Sequence, residues 1–153
     1  MSVDQVAAEA ALIAESAPKI PELEALTSGE AFVSLNNLRA GYGKMEILHD
    51  FNLRIGKGQS LCLIGPNGAG KSTVLHSIFG FTNIFSGSIM VGDTDVTRLT
   101  PSQKLSEAGI AYILQDKSVF PQMTVEENLL LGANVARAKR RIKANLDYIY
   151  TLF

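Results

Sequence analysis

Gly65-Pro66-Asn67-Gly68-Ala69-Gly70-Lys71-Ser72 has the spacing glycine, four residues, glycine, lysine, serine. It lies between an apolar run, Ser60 to Ile64, and a run with helical character, Lys71 to Phe79, so the pattern reads as strand, loop, helix. Glycines at 65, 68 and 70 let the backbone turn its N–H groups inward as a nest for an anion. A helix that begins at Lys71 adds the positive end of its dipole to that nest. The spacing sends the Lys71 ammonium to the β- and γ-phosphates of a nucleotide and the Ser72 hydroxyl to Mg²⁺. Thr73 follows with a hydroxyl suited to the α-phosphate. The plain alternative is a glycine-rich connector that binds nothing, and the full pattern in this context outweighs it.

Around this loop the chain alternates strands and helices. Phe32, Leu35 and Leu38 predict a first strand and Ile47 to Ile55 a second, joined near Gly41 and Gly43 as a hairpin. Gly56-Lys57-Gly58 is a turn, and Ser60 to Ile64 is an apolar run of the kind buried in a parallel sheet. Gly80 stands where a cap would end the helix Lys71 to Phe79. Ser88 to Val91 and Ala111 to Leu114 predict further strands. Thr100-Pro101-Ser102-Gln103 and Thr124-Val125-Glu126-Glu127 are capping boxes, the second opening a helix through Leu131, and Val135 to Tyr150 has helical period. The expected fold class is α/β, with an antiparallel hairpin in front of the phosphate loop. Residues 1–30 combine alanine-rich sequence with Pro18, Pro21 and Gly29 and match no core pattern, so they are expected to be a flexible extension to a domain spanning 31–153.

The bulk numbers exclude several classes. In 153 residues, 14 Lys and Arg face 15 Asp and Glu for a net charge of -1, so no whole-chain field draws nucleic acid or anionic lipid. No nucleic-acid partner is expected. The first charges are Asp4 and Glu9, unlike a secretory leader, and no apolar run approaches the roughly 18 residues that span a bilayer. The one cysteine, Cys62, lies in Leu61-Cys62-Leu63-Ile64 and reads as a packed thiol in a reducing cytosol.

Three features imitate sites. Ile89-Met90-Val91-Gly92-Asp93 imitates an apolar strand ending in a magnesium-organising aspartate, a role rejected because the family resemblance given below implies a peripheral hairpin here and a catalytic glutamate, not Thr94, after such an aspartate. His49 and His76 read as packed or solvated side chains. Arg137, Lys139, Arg140, Arg141 and Lys143 form a basic run whose ordinary reading is a solvated helix face.

The loop and its surroundings resemble the Walker A motif of the ABC-type ATPases, over Phe32 to about Phe153. Tyr42 matches the aromatic residue that stacks on adenine in that family. Gln115, after Ala111 to Leu114, matches the glutamine that contacts Mg²⁺ and the attacking water and couples to the membrane subunit. The following Val119-Phe120-Pro121-Gln122-Met123-Thr124-Val125-Glu126-Glu127-Asn128-Leu129 agrees. Gly92-Asp93-Thr94-Asp95-Val96-Thr97 and Gly109-Ile110-Ala111-Tyr112 resemble the branched-chain amino-acid transporter ATPases and their urea or amide relatives. The resemblance implies a P-loop NTPase core with the start of a helical subdomain. It implies ATP and Mg²⁺ as ligands, and Lys71 and Gln115 as catalytic groups. Its partners would be membrane-spanning permease subunits and a second ATP-binding subunit, at the cytoplasmic face of the plasma membrane. It also implies an incomplete domain, because the signature motif, Walker B aspartate, catalytic glutamate and switch histidine are expected after Gln115 and Phe153 is reached first. This stretch alone is therefore expected to bind ATP, to hydrolyse it negligibly and to leave sheet edges unpaired. A non-hydrolytic nucleotide-binding module is the competing reading. A GTPase or small kinase is weaker, since no Asn-Lys-x-Asp motif appears.

Overall fold

The computed structural model describes residues 21–22, 25, 30–115, 118–133 and 141–152. Its centre is a long hairpin. Strand β1, Ala31–Tyr42, pairs antiparallel with β2, Met45–Gly56, in a register that sets Leu35 opposite Leu53 and Tyr42 opposite Met45. Strand β3, Asn83–Val91, lies on the other side of β1, and the two-residue β4, Thr94–Asp95, completes an antiparallel sheet of order β2-β1-β3-β4.

The inward side chains Leu35, Leu38, Leu48, Leu53 and Ile89 form the core, and Val96 joins them from just beyond β4. Helix α1, Lys71–Phe79, closes this core by burying Val74 against it. The phosphate-loop helix is thus seated on the hairpin.

The sheet is bent at one place. Asn37 and Asp50 have positive φ, 45° and 47°, and the β1–β2 register shifts between Leu35 and Leu38. Asn52 bridges the bend: its Oδ1 accepts from the Asn37 N–H at 2.9 Å, and its Nδ2 donates to the Asp50 carbonyl at 2.8 Å. Across from it, Gly87 at φ 85° lets β3 approach so closely that a Cβ there would sit 2.4 Å from the Asn37 carbonyl oxygen. Only glycine fits.

Helix α2, Pro101–Ala108, opens with the expected capping box: the Thr100 hydroxyl accepts from the Gln103 N–H, and the Gln103 amide oxygen accepts from the Thr100 N–H. Proline at its first position gives up no hydrogen bond. Helix α3, Val125–Ala133, opens the same way, with the Thr124 N–H donating to Glu127 Oε2 at 2.7 Å. Asn128 steadies the loop before it, accepting from the Phe120 N–H and donating to the Phe120 and Met123 carbonyls. Helix α4, Ile142–Leu152, contacts α3.

Several expectations change. Ser60–Ile64 and Ala111–Leu114 join no ladder among the described residues, and Ile64 is 91% and Ile113 84% exposed. An apolar run becomes a buried parallel strand only with neighbours on both edges and cover on both faces. The described sheet is antiparallel, and neither run is paired with it. From the first run only Leu63 packs against the core, so Cys62 is exposed rather than packed. The last helix begins at Ile142 in the described structure. Val135, Arg137, Lys139 and Arg140 lie outside the described residues, as does nearly all of the segment read as an extension.

Candidate functional site

The loop Gly65–Gly70 is exposed for most of its length and enters α1 without a side-chain cap. The residue before the helix, Gly70, is left-handed at φ 84°, and no acidic residue occupies the first turn. The first N–H groups of a helix have no partner within it, so here they remain open to an incoming anion. A Cβ on Gly70 would come within 3.2 Å of Leu48 Cδ2, which presses the end of the loop onto β2. Gly68 is also left-handed, at φ 86°. The loop closes on itself through the Ala69 N–H, which donates to the Pro66 carbonyl at 3.3 Å, with Asn67 and Gly68 between them.

Lys71 Nζ folds back over the loop and donates to the carbonyls of Gly65 and Pro66, both at 2.7 Å. A phosphate offers stronger, charge-assisted acceptors to the same ammonium. Ser72 is exposed and its hydroxyl has no hydrogen-bond partner among the described residues. Thr73 is largely buried, and its backbone carbonyl accepts from the Ser77 hydroxyl at 2.7 Å.

Tyr42 stands at the tip of the β1–β2 hairpin, 42% exposed. Its hydroxyl is hydrogen-bonded to His76 Nδ1 at 2.6 Å, and the two rings meet edge-on. His76 belongs to α1, so the hairpin tip and the phosphate-loop helix are joined directly. Beneath His76 lie Phe79, Phe81 and Tyr112 in edge and stacked contacts. Sequence reading took His76 for a packed or solvated side chain. The signal available was its place on the same helix as Lys71, five residues on.

Gln115 lies exposed at a bend and its side chain makes no hydrogen bond among the described residues. The structure therefore joins Tyr42 to the loop helix but does not tie Gln115 to them. Asp93 occupies the turn between β3 and β4, beside Glu30 and Lys57. His49 pairs with Glu46 at 2.9 Å, and Glu46 also holds Arg39, whose guanidinium keeps the Glu46 carboxyl below its ordinary range.

Lys104 is a residue that sequence reading missed. It is 0% exposed, and its Nζ donates to the carbonyls of Ser77 at 3.1 Å and Ile78 at 2.8 Å, at the C-terminal end of α1. Burial pushes this ammonium down to about 8, against a weaker upward pull from Asp95. A buried cation at the negative end of α1 faces the anion site at its positive end.

No cluster of three or more histidine, cysteine, aspartate or glutamate side chains is placed to hold a metal among the described residues. The Ser72 hydroxyl and Gln115 amide oxygen are of the right donor type for Mg²⁺, a hard cation that takes most of its remaining ligands from phosphates and water. No helix among the described residues is long and apolar enough to cross a membrane.

Residues 48–150 match the family model described as ABC transporter. A probable branched-chain amino acid transport ATP-binding protein LivF from Archaeoglobus fulgidus is 42% identical over 113 residues, covering 72% of this chain and 48% of the relative. A putative 2-aminoethylphosphonate import ATP-binding protein PhnT from Salmonella typhimurium is 38% identical over 121 residues, covering 79% of this chain and 31% of the relative. The chain thus spans half or less of the curated relatives it matches. Among solved structures, a nucleotide-free ATP-binding cassette from an ABC transporter superposes with TM-score 0.60 at 32% identity over 67% of this chain and 40% of that one. The ADP conformation of another such cassette gives TM-score 0.61 at 31% identity, over 69% and 41%. With the loop, its helix and the hairpin assembled as described, the chain belongs to the ABC transporter family of ATP-binding subunits.

Proposed function

We propose that this chain is the nucleotide-holding part of an ATPase that energises a membrane importer. The observation that carries the reading is the uncapped N-terminus of α1 beneath a glycine loop, with Lys71 already folded over it. In this reading the loop N–H groups of Gly65 to Gly70 receive the phosphates, and Lys71 exchanges its two carbonyl acceptors for phosphate oxygens. Ser72 gives an oxygen to Mg²⁺, which screens the phosphate charge when bound. Thr73 donates to the α-phosphate, Tyr42 stacks on adenine, and Gln115 completes the magnesium and water contacts.

Hydrolysis belongs to a longer protein, whose further portion pairs the Ser60–Ile64 and Ala111–Leu114 runs and supplies the catalytic glutamate. A second ATP-binding subunit faces this loop, and permease subunits seat the pair at the cytoplasmic side of the membrane. The solute class we infer is branched-chain or related amino acids, supported by the first relative and by the Gly92–Thr97 segment. The names of other relatives point to 2-aminoethylphosphonate and to maltose or maltodextrin import. Uptake of labelled leucine, aminoethylphosphonate and maltose by cells with and without the gene decides among them; loss of leucine uptake alone is the expected result.

The binding reading is tested by equilibrium titration with ATP and Mg²⁺. Wild type should saturate and Lys71→Ala should lose at least tenfold in affinity, the loss of one charge-assisted contact being about 1.4 kcal/mol or more. Equal affinities would overturn it.

A further inference from the structure

We infer that His76 is a positioning residue for adenine recognition: it holds the Tyr42 ring in place from the phosphate-loop helix. The inference rests on reading Tyr42 as the surface on which the base stacks. Tyr42 stands on a hairpin tip, where a ring joined to the backbone by two rotatable bonds would sample several rotamers. The structure fixes it from two sides. On one, the Gly43 N–H donates to Asn83 Oδ1 at 2.9 Å and anchors the turn to β3. On the other, the phenol oxygen bonds His76 Nδ1 at 2.6 Å.

His76 is itself immobilised. Its ring meets Phe81 and Tyr112 edge-on, with centroids 5.7 and 5.5 Å away, so it cannot follow the tyrosine if the hairpin moves. His76 lies five residues beyond Lys71 on α1, a distance of about 7.5 Å along the axis. The same rigid helix therefore presents the phosphate site at its start and grips the base platform one and a half turns later. The contact with His76 is at the edge and hydroxyl of Tyr42, at an interplanar angle of 84°, which leaves a ring face for stacking. A platform held at a set distance from the phosphates costs less ordering when the nucleotide arrives.

The test uses the full-length protein, with two probes, ATP and inorganic tripolyphosphate, both with Mg²⁺. Tripolyphosphate reads the loop alone, and ATP reads loop and platform together. His76→Leu should weaken ATP by about three- to tenfold, the range for one hydrogen bond, and leave tripolyphosphate unchanged. His76→Asn, whose amide takes the place of Nδ1 without the imidazole ring, should restore most of the ATP affinity. Tyr42→Phe keeps the platform and removes the same bond, so it should match His76→Leu, and the double variant should be no worse than either single one. Thermal melts of the variants control for folding. If Tyr42→Ala weakens ATP while His76→Leu and Tyr42→Phe do not, the positioning role is wrong and the stacking reading stands. If Tyr42→Ala leaves the ratio of the two affinities unchanged, the stacking reading fails and this inference with it. Equal losses for both probes with His76→Leu would also overturn it, marking a general loosening of α1.

Discussion

A lysine buried to 0% exposure is uncommon, and Lys104 is tolerated because its ammonium meets two carbonyls at the end of α1. Its folded value of about 8 lies below the ordinary 10.5. Between those pH values the unfolded chain holds a proton that the folded chain has released, so stability rises with pH across that window. Below it the charged form is buried and the penalty is fully present. The difference in unfolding free energy between wild type and Lys104→Met should therefore climb from pH 8 toward 10.5; a flat difference would show that burial does not govern this group. At the same level, Lys71, Ser72 and the loop glycines were legible in the sequence because their spacing is local and dictated by phosphate geometry. Lys104 and His76 were not, because their partners lie 27 and 34 residues away and no local pattern records a contact across elements.

Among the elements, helices with written caps were read best. α1 runs from Lys71 to Phe79 as expected, and α2 and α3 begin at their capping boxes. Those signals are energetic as well as textual: Thr100→Ala should cost about 1 kcal/mol, read as a shift in denaturant midpoint at constant slope. The hairpin was found, but its bend was not, since nothing in Asn36-Asn37 announces a bulge until β3 is laid beside it. Gly87→Ala puts a methyl against the Asn36 and Asn37 carbonyls and a side chain at φ 85°, and should cost about 2 kcal/mol or more. If Gly87→Ala melts like wild type, the close approach of β3 to β1 is wrong. The apolar runs Ser60–Ile64 and Ala111–Leu114 were read as strands from composition alone, which records willingness to be buried and says nothing about whether neighbours are at hand.

For the molecule as a whole, the described residues include a four-stranded sheet, the helices α1 to α4 and two apolar runs that pair with no strand. The family match and the solved cassettes support the α/β cassette fold read from the sequence. The structure adds that, within these residues, the antiparallel portion alone is complete. Exposed Cys62 reports on this directly. In the 153-residue chain it should react with a water-soluble maleimide within minutes without denaturant, and in a longer protein that pairs the run it should be protected. Slow labelling of the short chain would mean the run is covered after all.

The bend at Asn37 and Asp50 has one further consequence, for solubility. β2 has β1 on one side only, and along its outer side no strand is paired among the described residues. Such a row of open N–H and C=O groups invites another molecule to dock as an extra strand. Asp50, at φ 47° in the middle of β2, turns the backbone out of line and sets a carboxylate there, so a straight foreign strand can match only half of the row at a time. The kink that shapes the sheet also keeps neighbouring copies from zipping onto it.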